Sequence, residues 1–167
     1  MSNRDQEFAA FEKLMALREG RRNDVYYDIR KKLTVGIGHL VQPEDNLKLH
    51  DVIGDERVDA LFEKDGTAAI VAARSEATQA GITDSEFIPY LASVNFQLGT
   101  KWTASFPHTW KMVIDKDYEG AAIALEGTQW ARETPMRVSD FQDALRRLVS
   151  KEAQATATMR SLTRTNG

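Results

Sequence analysis

The stretch Arg18 to Leu40 (REGRRNDVYYDIRKKLTVGIGHL) constrains this chain more than any other. Glu19 is followed by Gly20, and glycine commonly stands just past a helix C-terminus because it tolerates positive φ. Two β-prone runs follow, Val25-Tyr26-Tyr27-Asp28 and Leu33-Thr34-Val35-Gly36-Ile37, joined by Ile29-Arg30-Lys31-Lys32. The pattern predicts a helix ending at Glu19 and then an antiparallel hairpin. Side chains alternate along a strand, so Tyr26 and Asp28 share a face, as do Thr34, Gly36 and Gly38. Val25, Tyr27, Val35 and Ile37 point the other way and form a packing surface. The first face reads as a polar floor kept open by two glycines.

That geometry suits a long polar substrate. Glu19 on one wall, with Asp28 and Thr34 on the other, gives two carboxylates in different settings, the equipment for cleaving a glycosidic bond. Glu19 stands at the negative end of a helix dipole, a setting suited to a general acid, while Asp28 lies on a more open strand. Taken singly, Glu19 also reads as a solvated helix end and Asp28 as a turn residue. The catalytic reading rests on the ensemble.

The 167 residues fit one domain, and hydrophobic and charged contents of 42% and 28% are ordinary for a globular chain. There is no cysteine, so disulfides and thiolate metal sites are excluded, and His39, His50 and His108 lack metal-ligand spacing. No metal or cofactor is expected. A net charge of −3 argues against nucleic acid as a partner. The last third is nevertheless basic, with Arg132, Arg137, Arg146, Arg147, Lys151, Arg160 and Arg164. Such a face could meet anionic wall or outer-membrane polymers, or simply be a solvated helix face. Residues 1 to 20 mix charges with Phe8, Phe11, Leu14 and Leu17 and read as neither a signal peptide nor a membrane anchor.

Along the chain, Asp5 to Glu19 reads as an amphipathic helix with Phe8, Phe11 and Met15 on its stripe. Pro43 is expected to open a short helix through Leu47, Leu49 and Ile53, which Gly54 stops. Asp55 is expected to cap a long helix from about Glu56 to Ala80, with Val58, Leu61, Phe62, Asp65, Ala69, Ala72 and Ala73 on one stripe and Gly66 as a weak point. Asp65 on an apolar face is costly unless paired, so it either pairs with His39 or lies at the edge of the stripe in water. Thr83 to Glu86 reads as a capping box for a strongly apolar helix ending at Gly99. Ser105 is expected to cap a helix to about Ile114, and Asp117 or Tyr118 opens one to Leu125. Trp130 begins a short turn. Ser139 with Gln142 is expected to cap the last helix, whose tail frays after Ala155.

The order Glu19, eight residues, Asp28, five residues, Thr34, then Gly36-Ile37-Gly38-His39-Leu40 closely resembles the T-even phage lysozymes, muramidases of glycoside hydrolase family 24. The resemblance continues more thinly through Leu61 to Asp65, Asn95 to Gly99, Phe106, and Trp130 to Arg137. It implies an α+β, mostly α, two-lobed fold in one domain over residues 1–167. A hairpin sheet would lie in an N-terminal lobe of about 15–60, a connecting helix at about 56–80, and a helical C-terminal lobe at about 81–155 that also takes in the first helix. It implies peptidoglycan as substrate and hydrolysis of the β-1,4 bond from N-acetylmuramic acid to N-acetylglucosamine with inversion. Glu19 would be the acid, and Asp28 with Thr34 would hold the attacking water. Arg137 would orient Glu19, and Leu40, Phe96, Gln97 and Thr109 would line the saccharide groove. His39 and Asp65 would pair structurally. A phage endolysin would follow, expected as a monomer made in the host cytoplasm and reaching the periplasm through a holin-type lesion.

The chain departs from that family at several points. Arg18 stands where an acid would share the arginine, Ala124 where a groove asparagine is expected, and Lys31 where the hairpin turn has glycine. The region 41–56 is shortened. Two other readings remain open at this level. A lytic transglycosylase needs only the acid and leaves Asp28 without a task. A catalytically silent wall-binding module leaves all three residues unexplained.

Overall fold

A computed structural model describes residues 1–165. Helix α1 (Asn3–Glu19) begins earlier than its apolar stripe predicts, because Ser2 and Asp5 form a capping box. The Asp5 N–H donates to Ser2 Oγ at 3.2 Å and the Ser2 N–H donates to Asp5 Oδ2 at 3.1 Å. Gly20, at φ +81°, ends the helix. Phe11 and Met15 are fully buried beneath it.

Strands β1 (Arg22–Tyr27), β2 (Leu33–Gly36) and β3 (His39–Leu40) form an antiparallel sheet with β2 in the centre. Tyr26 pairs with Thr34 and Tyr27 with Leu33, and the register shifts between Arg22 and Tyr26. Val25, Val35 and Ile37 are buried as the alternation predicts, but Tyr27, next to the turn and past Val25, is more than half exposed. The outer edge of β1 is covered. The Val25 N–H donates to Asp51 O, the His50 N–H to Val25 O, and the Ile53 N–H to Asn23 O. Residues 50–53 therefore pair with a strand, and the helix expected over Pro43 to Ile53 does not form. Only a 3₁₀ turn, Pro43–Asp45, is present, and positive φ at Asn46 and His50 bars helix propagation.

Gly54 consequently starts a helix instead of stopping one. It is the N-cap of α2 (Asp55–Gln79), and Asp55 lies in the first turn, where its carboxylate accepts from Asn23 Nδ2 at 3.0 Å. The 25 residues of α2 run for about 37 Å and connect the sheet to the remaining helices. Its buried stripe is Val58, Leu61, Phe62, Ala69, Ile70, Ala73 and Ala77. Gly66, expected as a weak point, is a packing contact. A Cβ there would lie 3.0 Å from Phe11 Cε2 and 3.2 Å from Phe62 Cζ. The missing side chain admits the cluster in which Phe11 meets Phe62 at 5.1 Å and Phe96 at 5.9 Å between ring centroids.

Six helices follow: α3 (Ile88–Leu98), α4 (Trp102–Ser105), α5 (Pro107–Ile114), α6 (Tyr118–Ala124), α7 (Gln129–Glu133) and α8 (Pro135–Thr165). Thr83 to Glu86 is a turn held by Asp84, whose Oδ1 accepts the Glu86 N–H, so the expected capping box is absent and α3 starts at Ile88. Ser105 ends α4 and caps nothing, whereas Asp117 caps α6 and Thr128 caps α7. Helix α8 begins at Pro135, a residue suited to a first turn, and Ser139 lies inside it. It also stays helical through Thr165, although Glu152 to Thr165 are exposed throughout. Helix α3 is the most apolar and packs against α1, α2 and α8. One core runs from Val25 and Val35 through Phe62 to Leu91, Trp102 and Phe141.

Candidate active site

A cleft of about 940 Å³ opens between the hairpin and the helices. Its walls are the end of α1, the hairpin tip with Gly38 and Leu40, Phe96 and Gln97 of α3, and Thr134 to Arg137 at the α7–α8 junction.

Glu19 is the last residue of α1, and its carboxylate is about one-third exposed. Arg137 Nη1 donates to Glu19 Oε1 at 2.7 Å. The guanidinium itself is buried: Nη2 donates to Ser93 Oγ at 3.2 Å, to Ser93 O at 3.3 Å and to Met15 Sδ at 3.6 Å. Gly38 faces the same acid. At φ +65°, a Cβ on Gly38 would stand 3.1 Å from Glu19 Oε2 and 3.3 Å from Glu19 Cγ. The glycine thus lets the chain pass close under the carboxylate. Gly36 does something different from the open floor its pattern suggests. It is buried, and its absent Cβ is faced by Val58 Cγ1 of α2 at 3.4 Å.

Asp28 is both a turn residue and a cleft residue. Its Oδ1 accepts the N–H groups of Arg30 and Lys32, each at 2.8 Å. The Asp28 N–H donates to Lys32 O and the Lys31 N–H donates to Asp28 O, each at 2.9 Å. Lys31 takes a left-handed φ of +59° where glycine would be free of cost, and Asp28 holds the strained turn closed from the preceding strand. Oδ2 of Asp28 has no hydrogen-bond partner among the described residues. Thr34 lies opposite Tyr26 and is 3% exposed, with its hydroxyl donating to Lys32 O at 3.0 Å. It is not among the residues that line the cleft, and its hydroxyl oxygen accepts no hydrogen bond from the described residues.

Leu40 and Phe96 line the cleft, as does Gln97. The amide of Gln97 already serves the fold: Oε1 accepts from Trp130 Nε1 at 2.9 Å and Nε2 donates to Thr134 Oγ1 at 3.0 Å. Thr109 is not among the residues that line this cleft. It is 4% exposed, one turn before fully buried Val113 on the inner side of α5, so it faces the core. Arg18 compensates for its own departure. It forms a two-pronged pair with Asp140 of α8, Nε to Oδ2 at 2.7 Å and Nη2 to Oδ1 at 2.8 Å.

The sequence profile described as "Phage lysozyme" matches residues 16–158. The chain belongs to the phage lysozyme family. Among curated relatives, it is 28% identical over 141 residues to "Probable T4-type lysozyme 2" of Dictyostelium discoideum, covering 71% of this chain and 83% of that protein. It is 29% identical to "Probable T4-type lysozyme 1" of the same organism over the same shares. It is 25% identical over 136 residues to "Peptidoglycan hydrolase gp36" of Pseudomonas phage phiKMV, covering 81% of this chain and 15% of that much longer protein.

In this phage lysozyme family member, His39 is bound on both ring nitrogens. Nδ1 lies 2.6 Å from Asp65 Oδ2, and Nε2 lies 2.7 Å from Asp45 Oδ2. Hydrogen bonding to Asp65, opposed by burial and reinforced by Asp45, holds the imidazole above its ordinary value. The charged ring can donate to both carboxylates. Burial works against the Asp45 anion, yet the Gln42 N–H and His39 together hold it below the usual carboxylate range. Asp45 is the member that sequence reasoning missed. It lies in a segment read as helix, and only the observation that Asp65 leaves the second nitrogen of a buried His39 unpaired could have called for it. The cleft residues Thr134 and Met136 were missed as well, because their exposure depends on where α8 begins.

Proposed function

We propose that this phage lysozyme family member is a peptidoglycan muramidase that cleaves the β-1,4 bond between N-acetylmuramic acid and N-acetylglucosamine with inversion. The observation that carries the reading is a cleft lined by both Glu19, held by a buried Arg137, and Asp28, whose Oδ1 is clamped to backbone while Oδ2 has no partner among the described residues. Glu19 gives its proton to the glycosidic oxygen as the C1–O bond breaks. Water attacks C1 from the opposite face and yields its proton to Asp28 Oδ2, with the Thr34 oxygen as a further contact for that water. Arg137 aims Glu19, while Leu40, Phe96 and Gln97 bound the saccharide path. His39, Asp45 and Asp65 act structurally.

The biological setting that fits is a phage endolysin released to the wall through a lesion made by another protein. No helix among the described residues is long and apolar enough to cross a membrane. The exposed end of α8 carries Arg160 and Arg164 and has no acid after Glu152, which suits approach to anionic wall or outer-membrane polymers.

The test is mass spectrometry of soluble fragments released from purified Gram-negative peptidoglycan, with Glu19→Gln alongside. Reducing muramic-acid ends from the wild type only are expected. Anhydro ends would make the protein a transglycosylase and Asp28 a bystander. Pelleting on the wall without any fragments would leave a binding module.

A further inference from the structure

Four cationic side chains line the cleft: Arg18, Arg30, Lys32 and Arg137. Two are engaged within the protein, Arg18 by Asp140 and Arg137 by the Glu19 carboxyl and the Ser93 oxygens. Arg30 and Lys32 have no carboxylate within salt-bridge distance among the described residues. They flank the turn beside Ile29, which is fully exposed.

Both side chains are exposed, but the backbone that carries them is held. The N–H groups of both residues are bound by the same Asp28 oxygen. That clamp fixes the backbone of both cations beside the carboxylate proposed to take the water proton. Both charges are thereby presented from a fixed backbone at the rim of the cleft, beside the proposed water-activating carboxylate.

We propose that Arg30 and Lys32 bind carboxylates of the peptide stem carried by the muramyl residue, making the hairpin tip the element that selects strands with charged stems. The proposal rests on the muramidase reading. The chemistry of the substrate favours this occupant. The sugars of the backbone are uncharged, and the lactyl carboxyl is consumed in the amide to the peptide, so negative charge near a muramyl bond comes from the stem. The facing wall at Leu17 and Met136 is apolar and exposed, which suits the aliphatic parts of such a peptide.

The experiment uses one peptidoglycan preparation, half of it with its stem carboxylates converted to primary amides. The ratio of kcat/KM for free-carboxylate over amidated strands is measured for the wild type, for the double variant Arg30→Gln with Lys32→Gln, and for the charge-keeping Arg30→Lys with Lys32→Arg. The wild type is expected to favour free carboxylates by about threefold to tenfold, the range for two exposed charge contacts. The preference should lie in KM and shrink as salt is raised. The glutamine pair should bring the ratio close to one, and the charge-keeping pair should retain it. A wild-type ratio of one, or a glutamine pair that keeps the wild-type ratio, overturns the proposal. Failure of the wild type to cleave either preparation overturns the muramidase reading and this proposal with it.

Discussion

Gly38 is a residue whose lack of a side chain is required twice, by its φ of +65° and by Glu19 at 3.1 Å. Gly38→Ala should cost about 1–2 kcal/mol for the left-handed backbone and should also displace the acid. Gly127, at φ +76° with open space where its Cβ would be, separates the two effects. Gly127→Ala should lower Tm without altering turnover, whereas Gly38→Ala should lower Tm and reduce kcat at least tenfold. Thermal melts with a turbidity assay on purified walls would read both, and equal turnover in the two variants would defeat the steric account. At this scale, the places of Glu19 at the end of α1, of Asp28 beside the hairpin turn and of Thr34 on β2 were legible because their order and spacing are local. The position of Thr109 was not, because which side of α5 faces the core is set by helices distant in sequence. Asp45 escaped for the same reason, since its partner's second nitrogen becomes visible only when β3 and α2 are brought together.

Among elements, the hairpin could be read because its apolar alternation and polar turn occupy one continuous stretch. The segment 43–53 could not, since its backbone partners are Asn23 and Val25 on the outer edge of β1. The cap of α2 was misplaced by one residue because Asp55 was already engaged by Asn23. The elements around α2 also set the pH dependence of stability. His39 is raised by Asp65, so its contribution is full below about pH 6.5 and is lost as pH rises through its folded value. Glu12 on α1 is raised from 4.5 to about 7 by burial, by hydrogen bonding to Asp59 and by repulsion from Asp59 and Glu63, against the attraction of Arg21. The folded state then holds the extra proton between about pH 4.5 and pH 7, and stability falls across that window. Asp45, held low, acts with the opposite sign and only in acid. Tm should therefore be higher at pH 5.5 than at pH 8.5, by about 2–4 °C for each ~1 kcal/mol lost. Glu12→Gln should flatten the lower part of that slope and His39→Gln the upper part. A Tm that rises from pH 5.5 to pH 8.5 would contradict both assignments.

For the molecule as a whole, a run of helices around one small hairpin was legible from the periodicities, whereas the connecting role of the long helix came only from the family resemblance. The end of α8 was not legible, because its final turns are exposed and no packing partner in the sequence marks them. Arg137 joins the parts, as one guanidinium on α8 meets Glu19 and Met15 of α1 and Ser93 of α3. Arg137→Lys keeps the charge but cannot reach all of these groups from a single ammonium. It should cost about 2 kcal/mol of stability, or roughly 4–8 °C in Tm, and lower kcat more than it raises KM. Calorimetry and steady-state kinetics on the same preparation would check this, and wild-type kcat with a lowered Tm would reduce Arg137 to a purely architectural part.

The Glu19–Arg137 contact spans 118 positions of the chain. A ribosome makes Glu19 that many residues before the guanidinium that pairs with it. Until α8 docks, a nascent chain presents Glu19 at the end of a helix with no guanidinium to hold it. Docking of α8 and pairing of Glu19 are thus one step, and a product that stops before Arg137 keeps Glu19, Asp28 and Thr34 without that guanidinium.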